Sequence, residues 1–199
     1  LSNLASAGTA THSSYRSDGT GAPENAIDGN TSGVYTSGSV TLNVADPSVN
    51  SWWEVDLGSI SYIDEINIWD RTAAGCSDIL NNYFVFVSNT PFTSEDVNTT
   101  IAEVPFSDFE LLTPADETTI PVNRSGRYVR IQLNKVDVLS LAEVQVMGHT
   151  IVSFDPCDYT IYRTWTATDG CGNSTVATQE ISVTDNSAPT FNGSPAAMA

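Results

Sequence analysis

The stretch Trp52-Trp53-Glu54-Val55-Asp56-Leu57-Gly58 gives the clearest indication of the fold. From residue 53 to residue 57, large apolar side chains alternate with acidic ones. Successive side chains of a β-strand point to opposite faces of its sheet, so this alternation predicts a half-buried strand over residues 52–57. Burial is the expected role of the two tryptophan rings, one on each face of the sheet.

Further short strands are predicted along residues 1–149. Alternation or short apolar runs, separated by turn residues, mark residues 63–69, 83–88, 128–133 and 144–147. The acidic stretch 94–121 is interrupted by prolines and is expected to form surface loops, with one strand near residues 101–104. Many short strands joined by turns predict an all-β sandwich.

The composition limits the class of partner. Seven basic residues against 24 acidic ones give a formal net charge of −17, and Lys135 is the only lysine. Such a chain has no positive surface large enough to hold a phosphate backbone, so nucleic acid is excluded as a partner. No stretch approaches the roughly 18 apolar residues of a membrane span. The abundance of Thr, Ser, Asn and Val predicts a β-rich extracellular module, and the absence of a signal sequence is expected of a processed piece.

Two distant stretches contain the donor types of a calcium site. The turn Asn25-Ala26-Ile27-Asp28-Gly29-Asn30 offers a carboxylate, an amide oxygen and backbone carbonyls, and Glu143 adds a second carboxylate. Calcium takes six to eight oxygen ligands at about 2.3–2.6 Å, and the spacing here differs from that of a helix-loop-helix calcium hand. The alternative is an ordinary turn, in which Asp, Gly and Asn serve only the backbone.

Several motifs together resemble the discoidin-like, coagulation-factor C-type superfamily. Its opening is similar to Asn3-Leu4-Ala5, residues 10–14, the turn 25–30 and the stretch 52–58, and its closing strands are similar to residues 126–131 and 139–146. Within the superfamily the chain most resembles the F-type lectins, also called fucolectins or family 47 carbohydrate-binding modules. The resemblance implies a discoidin-like β-sandwich of jelly-roll type over residues 1–149, and a lectin rather than an enzyme.

The resemblance also implies a structural Ca²⁺ ion. The positions of its ligands in the family are held here by the Asn25 carbonyl, Asp28, Asn30, Ser39, the Ala142 carbonyl and Glu143. Every side-chain ligand is present. A disulfide of the family joins the positions of Val40 and Ala142, and both residues are small and apolar here, so the loss of the bridge leaves no lone thiol.

The sugar pocket of the family is matched less completely. In the family a His and two Arg residues donate hydrogen bonds to fucose, and an aromatic ring and adjacent cysteines touch its methyl edge. Arg71 matches the first Arg and Tyr35 the aromatic residue, whereas Leu42 stands at the His position and Asp78 at the second Arg. The candidate sugar-binding residues are Tyr35, Leu42, Arg71, Thr72, Cys76 and Asp78. The alternative for Arg71 is a surface ion pair with Asp70 or Asp78.

The sequence changes character after Gly148. Residues 157–168 and 175–185 predict an antiparallel strand pair, with a disulfide between Cys157 and Cys171 that leaves Cys76 free. This part resembles the second half of immunoglobulin-like hyalin repeats of secreted Bacteroidetes proteins. Residues 150–187 are therefore expected to form a partial immunoglobulin-like segment, and residues 188–199 a linker or tail.

These observations favour a non-catalytic, calcium-containing carbohydrate-binding module, secreted or at the surface of a bacterial cell. It would hold a longer parent protein, with attached catalytic or adhesion domains, on a fucose-containing polysaccharide such as sulfated fucan. Two alternatives stay open: an adhesion module that binds protein, and a module for galactose-type sugars. No Ser-His-acid arrangement or Gly-rich phosphate loop indicates catalysis.

Overall fold

The computed structural model describes residues 1–44, 50–72, 80–110, 117–151, 158–185 and 187. The chain divides into two compact units, Leu1–Ile151 and Val152–Ala199. No helix in the described part of the chain is long and apolar enough to cross a membrane.

The described residues of the first unit form seven strands, one α-helix and three short 3-10 turns. The strands are β1 (Ser2–Asn3), β2 (Thr9–His12), β3 (Trp52–Asp70), β4 (Tyr83–Ser88), β5 (Phe106–Glu110), β6 (Glu117–Leu133) and β7 (Leu141–Thr150). The helix α1 is Val97–Glu103, and the 3-10 turns are Ala5–Ala7, Pro23–Ile27 and Tyr35–Ser37. The predicted all-β fold is confirmed.

The sheet is antiparallel throughout, in the order β1-β7-β3-β6-β4-β5, with β2 also paired to β3. The long strand β3 changes register between Asp56 and Ser61, where Gly58 has a φ of 81° that only glycine adopts freely. Five of the six strands predicted in this unit lie within β3, β4, β6 and β7. The short connection 134–140 brings the end of β6 and the start of β7 to the same end of the unit.

The core consists of alternate residues of the strands. Val55, Ile66, Val85 and Ile131 are completely buried, as the period-2 pattern of a half-buried strand requires. Trp53 is 1% exposed, and its indole N–H donates to the Pro23 carbonyl at 2.9 Å. The predicted burial of this ring is confirmed.

Trp52 differs from its neighbour because it is only half-buried. The Arg130 guanidinium lies 4.6 Å from the centre of its ring and 4.4 Å from that of Phe92. Arg130 also donates two hydrogen bonds to one oxygen of Glu54, at 2.8 and 3.0 Å. Trp52 thus covers an ion pair on the outside of the sheet.

The prediction of surface loops over residues 94–121 was wrong. The helix α1 replaces the strand expected near residues 101–104, and β5 and the start of β6 follow it. The helix begins at Asp96, whose side chain accepts the Thr99 N–H at 2.8 Å. Val97 and Thr100 are buried on one helical face. The Glu95 carbonyl, just before the helix, accepts from the Gln132 side chain of β6 at 2.7 Å, so the start of this segment is attached to the sheet.

The described part of the second unit is a hairpin of β8 (Asp158–Thr168) and β9 (Ser174–Thr184). Its register runs from Asp158 opposite Thr184 to Thr168 opposite Ser174. The predicted strand pair is confirmed, and the assignment to an immunoglobulin-like repeat stays a prediction.

The predicted disulfide between Cys157 and Cys171 was wrong. Cys171 lies in the hairpin turn, where it is exposed and free. Cys157 directly precedes β8, whose 11 residues span roughly 35 Å at about 3.3 Å per residue. A disulfide requires Cα atoms within about 7 Å. Cys157 itself and Cys76 lie outside the described residues.

Candidate functional site

The turn 25–30 is attached directly to strand β7. The 3-10 turn Pro23–Ile27 ends at Asp28, and the φ of 85° at Gly29 allows the chain to reverse there. The Gly29 N–H donates to Glu143 Oε2 at 3.2 Å, across 114 residues of sequence. The structure therefore brings together the two stretches that were predicted to share an ion.

Two side-chain oxygens of the predicted ion site, those of Asp28 and Ser39, lie in direct contact, whereas Asn30 Oδ1 accepts the Ser32 N–H at 3.0 Å. Ser39 Oγ donates to Asp28 Oδ2 at 2.6 Å, and Asp28 Oδ1 accepts the Asn30 N–H at 2.9 Å. The Asn25 side-chain amide donates to the carbonyls of Gly38 and Val40, which fixes the segment that contains Ser39 beside the turn. A cation beside these two oxygens would be coordinated by both of them, with the Ser39 hydrogen turned away from Asp28. The arrangement is therefore compatible with a metal ion.

The backbone of Ala142 lies at an irregularity in β7. Trp69 faces Glu143 and Asp70 faces Leu141, so Ala142 has no Cα partner in the β3–β7 register. Such a bulge leaves backbone groups outside the ladder, as the predicted carbonyl ligand requires. Val40 and Ala142, at the positions of the family's disulfide, are both buried.

The electrostatics of Glu143 fit a cation. The side chain is completely buried, and Oε1 has no hydrogen-bond partner in the described part of the chain. Burial raises the pKa of Glu143 to about 7, the Gly29 N–H opposes this shift, and the nearby Asp28 carboxylate adds to it. Two carboxylates with neutral oxygens are a donor set for calcium. The described residues contain no cluster of three or more His, Cys, Asp or Glu side chains, which a zinc site would need.

A cleft of about 360 Å³ lies beside this turn. Its walls are the loop 19–22 and the segment 35–40. Asn25 belongs both to the cleft and to the turn 25–30, which is called the ion turn below because it contains the predicted ion ligands. None of its lining residues is charged: they are glycines, small apolar residues, Asn25 and the hydroxyl-bearing Thr20, Tyr35 and Thr36. Such a lining suits a neutral ligand with many hydroxyl groups.

Arg71 and Tyr35 form the second feature of this region. The Arg71 guanidinium carbon lies 4.5 Å from the centre of the Tyr35 ring, a cation–π contact. Arg71 Nε is buried and has no hydrogen-bond partner among the described residues. The Arg71 backbone N–H donates to Asp70 Oδ1 at 2.6 Å. The structure therefore joins two of the predicted sugar-binding residues, and in the part of the chain that it describes one donor of the guanidinium has no partner.

The other predicted sugar-binding residues are placed differently. Thr72 is exposed, and its backbone N–H donates to the Gly33 carbonyl at 3.0 Å. Leu42 is half-buried, and its N–H donates to the Gly21 carbonyl at 3.0 Å, so it supports the cleft wall from behind. Cys76 and Asp78 lie outside the described residues.

Sequence reasoning missed the part played by Asp18 and Thr20. The Thr20 hydroxyl lies 2.8 Å from the Tyr35 hydroxyl, and Thr20 also lines the cleft. The Asp18-Gly19 dipeptide is a turn signal, but it does not show which distant side chain the turn will contact.

Comparison with known proteins places this architecture in a family. Residues 25–131 match the family model described as NedA-like, galactose-binding domain. Fucolectin-1 of Anguilla japonica is 31% identical over 150 residues, which cover 72% of this chain and 79% of the fucolectin.

Two solved structures show the same similarity. A fucose binding module of Streptococcus pneumoniae, SpX-3, has a TM-score of 0.64 and 28% identity, covering 75% of this chain and all of the module. A fucolectin from striped bass (Morone saxatilis) serum has a TM-score of 0.66 and 27% identity, covering 84% of this chain and 55% of that protein. The chain therefore belongs to the fucolectin, or F-type lectin, family of galactose-binding, discoidin-like domains.

Proposed function

We propose that this chain is a non-catalytic carbohydrate-binding module that binds fucose-containing glycans at the cleft beside Arg71. The observation that supports this best is the Arg71 guanidinium, which lies over Tyr35 next to an uncharged cleft and whose buried Nε–H has no partner among the described residues. The related fucose-binding module and the fucolectins support the choice of sugar.

The chemistry follows from the side chains present. A planar guanidinium donates parallel hydrogen bonds to two vicinal oxygens, which are common on sugar rings. The small residues Gly19, Gly21 and Ala22 allow a ligand to approach the backbone closely. Val40 and the ring of Tyr35 offer apolar surface, which suits the methyl edge of a 6-deoxy sugar.

A structural Ca²⁺ ion is part of this proposal. Asp28, Asn30, Ser39 and Glu143 would hold it with side-chain oxygens, and Asn25 and Ala142 with carbonyls. A bound ion would join the turn 25–30 to strand β7 and so support the wall of the cleft. The hydrogen-bonded approach of Asp28 to Ser39 and the unpartnered oxygen of Glu143 support this assignment.

Sulfated fucan is a narrower candidate within the same proposal. The net charge of −17 disfavours an anionic polymer, and Arg16 is paired with Asp18 at 2.8 Å. Binding of a sulfated chain would therefore depend on Arg71. We propose a secreted or cell-surface location, as for the related serum lectin, and attachment of a longer parent protein to polysaccharide.

A galactose-type sugar is the second candidate. Leu42 occupies the position of the family's His and cannot donate a side-chain hydrogen bond. A pocket without this donor makes one hydrogen bond fewer to fucose, so its preference for fucose over galactose is weaker. The matching family model is described as a galactose-binding domain.

Affinity electrophoresis tests the proposal. The protein is run through gels containing fucoidan, sulfated fucan, galactan, alginate or neutral glucan, each with calcium and with a chelator. We expect retardation by a fucose-rich polymer, competition by free L-fucose, and loss of retardation in Arg71→Ala. The matched control is Arg163→Ala, an exposed arginine in the second unit.

Each other outcome has a definite meaning. Competition by galactose alone would select the second candidate. Unchanged retardation of Arg71→Ala would remove Arg71 from the site. Free migration through every polymer would contradict a carbohydrate-binding function and favour a module that binds protein.

A further inference from the structure

A hydrogen-bonded loop lies behind the hydroxyl end of Tyr35. Asp18 Oδ2 accepts from Arg16 Nη2 at 2.8 Å, and Asp18 Oδ1 accepts from the Thr20 hydroxyl at 2.7 Å and the Thr20 N–H at 3.0 Å. Arg16 Nε points at both Asp18 Oδ1 and the Thr20 hydroxyl, at 3.2 Å each. The three side chains thus form one closed network.

The chemistry of the groups determines which way the hydrogens point. A carboxylate only accepts, so the single hydrogen of the Thr20 hydroxyl goes to Asp18. The 2.8 Å contact between Thr20 and Tyr35 therefore uses the hydrogen of the Tyr35 phenol. Hydrogen bonds from Arg16 and Thr20 hold the pKa of Asp18 well below its usual range, so this direction is maintained across the physiological pH range.

Tyr35 is fixed at both of its ends. Its carbonyl accepts the Gly38 N–H at 3.0 Å in the 3-10 turn, and its hydroxyl is held by Thr20. The ring between these two points lies under the Arg71 guanidinium. A half-buried tyrosine without the second attachment is free to change its χ1 rotamer, and the guanidinium would lose its support.

The network also neutralises the positive charge of Arg16 at this rim of the cleft. Arg16 directs two of its nitrogens at Asp18, so the positive charge of the loop is compensated within the loop. Among the described residues Arg71 has no carboxylate partner for its guanidinium, which contacts an aromatic ring instead. A neutral sugar meets no uncompensated charge from the loop, whereas a sulfate gains nothing from Arg16.

We propose that Arg16, Asp18 and Thr20 are positioning residues that act through Tyr35 to hold Arg71 in its binding geometry, and that Asp18 selects neutral over sulfated sugars by compensating Arg16. This inference rests on the proposed function of the cleft as a sugar site.

The first experiment tests the attachment of Tyr35 without any ligand. Stacking on an aromatic ring shifts the side-chain proton resonances of Arg71 upfield, and this shift is measured by NMR on the full chain with calcium. Thr20→Val removes the hydroxyl that holds Tyr35, and we expect the ring-current shift to decrease. Thr20→Ser keeps the hydroxyl and serves as the matched control. An unchanged Arg71 resonance in Thr20→Val would overturn the positioning role whether or not the protein binds sugar.

The second experiment measures binding of methyl fucoside by titration. One neutral hydrogen bond corresponds to about a five-fold change in affinity, so we expect that loss in Thr20→Val and in Tyr35→Phe. The double variant should lose no more than the weaker single variant, because both changes break the same bond. Multiplying losses would overturn the coupling. A wild-type protein that binds no sugar, with the NMR result intact, would contradict the proposed function alone.

Asp18→Asn tests selectivity, because only the sulfated ligand should gain affinity. The asparagine oxygen still accepts from Thr20, but the charge of Arg16 is released. We expect sulfated fucan to be retarded more strongly and methyl fucoside to be bound no more tightly than by the wild type. The combined Arg16→Gln, Asp18→Asn variant should lose the gain. An equal change for both ligands, or no change for sulfated fucan, would overturn the selectivity.

Discussion

The ion turn and the Arg71 region lie side by side, yet they are built on different principles. The ion turn consists of oxygen donors that backbone hydrogen bonds hold in place, and its carboxylate on β7 is completely buried. The Arg71 region is half-exposed and depends on one cation, one ring and a separate loop. A hard cation requires a complete set of oxygens, whereas a sugar site tolerates the replacement of single donors. The first region should therefore govern stability, and the second should govern affinity.

Removal of calcium is expected to have the largest effect. An ion present at about 1,000 times its Kd stabilises the folded state by about 4 kcal/mol, so a chelator should lower the Tm by roughly 10 °C. Glu143→Gln should abolish this response, as measured by calorimetry with and without calcium. Glu24→Gln changes an exposed carboxylate of the neighbouring 3-10 turn Pro23–Ile27, and this variant should respond to calcium removal like the wild type. A Tm unaffected by chelation, with no metal found by elemental analysis, would refute the ion site.

The pH dependence of the calcium-free protein should be the next largest effect. The pKa of Glu143 is raised from 4.5 to about 7 in the folded state, so the folded protein binds the proton more tightly than the unfolded chain. Its stabilising contribution is complete below about pH 4.5 and is lost as the pH rises through about 7, by up to about 3 kcal/mol. Denaturant unfolding at several pH values measures this loss.

The stability that calcium adds to the folded protein should instead increase as the pH rises through about 7. Because the ion binds the ionised carboxylate, calcium affinity should rise as the pH rises through about 7, with release of a proton on binding below that pH. Glu143→Gln should show neither trend. A calcium-free protein whose stability increases between pH 5 and 8, relative to Glu143→Gln, would contradict the raised pKa.

Arg71→Ala sharpens the contrast between the two regions. Loss of charge-assisted hydrogen bonds should weaken glycan binding by about 2–3 kcal/mol, or roughly 30- to 150-fold. The free energy of unfolding should change by less than about 1 kcal/mol, since the side chain is half-exposed. Titration calorimetry and thermal unfolding on the same samples separate the two quantities. A large loss of stability with unchanged binding would assign Arg71 to the scaffold.

Leu42→His is expected to have the smallest effect. It introduces the donor that the family pattern places at this position and should increase fucose affinity by roughly five-fold, the value of one neutral hydrogen bond. Leu42→Ala is the control for lost packing behind Gly21. Equal weakening in both variants would show that Leu42 acts only as support for the cleft wall.

The strands of the first unit were predictable because their pattern is local. Residues 52–57 alternate with a period of two, and the structure buries Trp53 and Val55 accordingly. The helix α1 was not predictable in this way. Its segment Asn98-Thr99-Thr100 has low helix propensity, and the helix depends on the Asp96 cap and on burial of Val97.

The disulfide prediction failed for a related reason. Sequence separation between Cys157 and Cys171 is compatible with a bridge, but the hairpin register places Cys171 in the turn. A register is set by all cross-strand pairs together, and no single pair of residues reveals it. The proximity of the turn 25–30 to Glu143 was easier to predict, because the oxygen-bearing residues and the glycine of the turn occur within one short stretch and need only one distant carboxylate.

The sequence alone was sufficient to determine the fold class and the family resemblance, and it also led to the candidate ligands of the turn 25–30 and to the candidates Arg71 and Tyr35. These features depend on residue type and short-range spacing, which determine strand periodicity and ligand chemistry. Only the tertiary structure decided that Glu143 is buried beside Gly29, that Arg71 stacks on Tyr35 and that Asp18 and Thr20 hold that ring. Burial, electrostatic coupling and the direction of a hydrogen bond arise between residues far apart in the chain, and they exist only once the strands are in register.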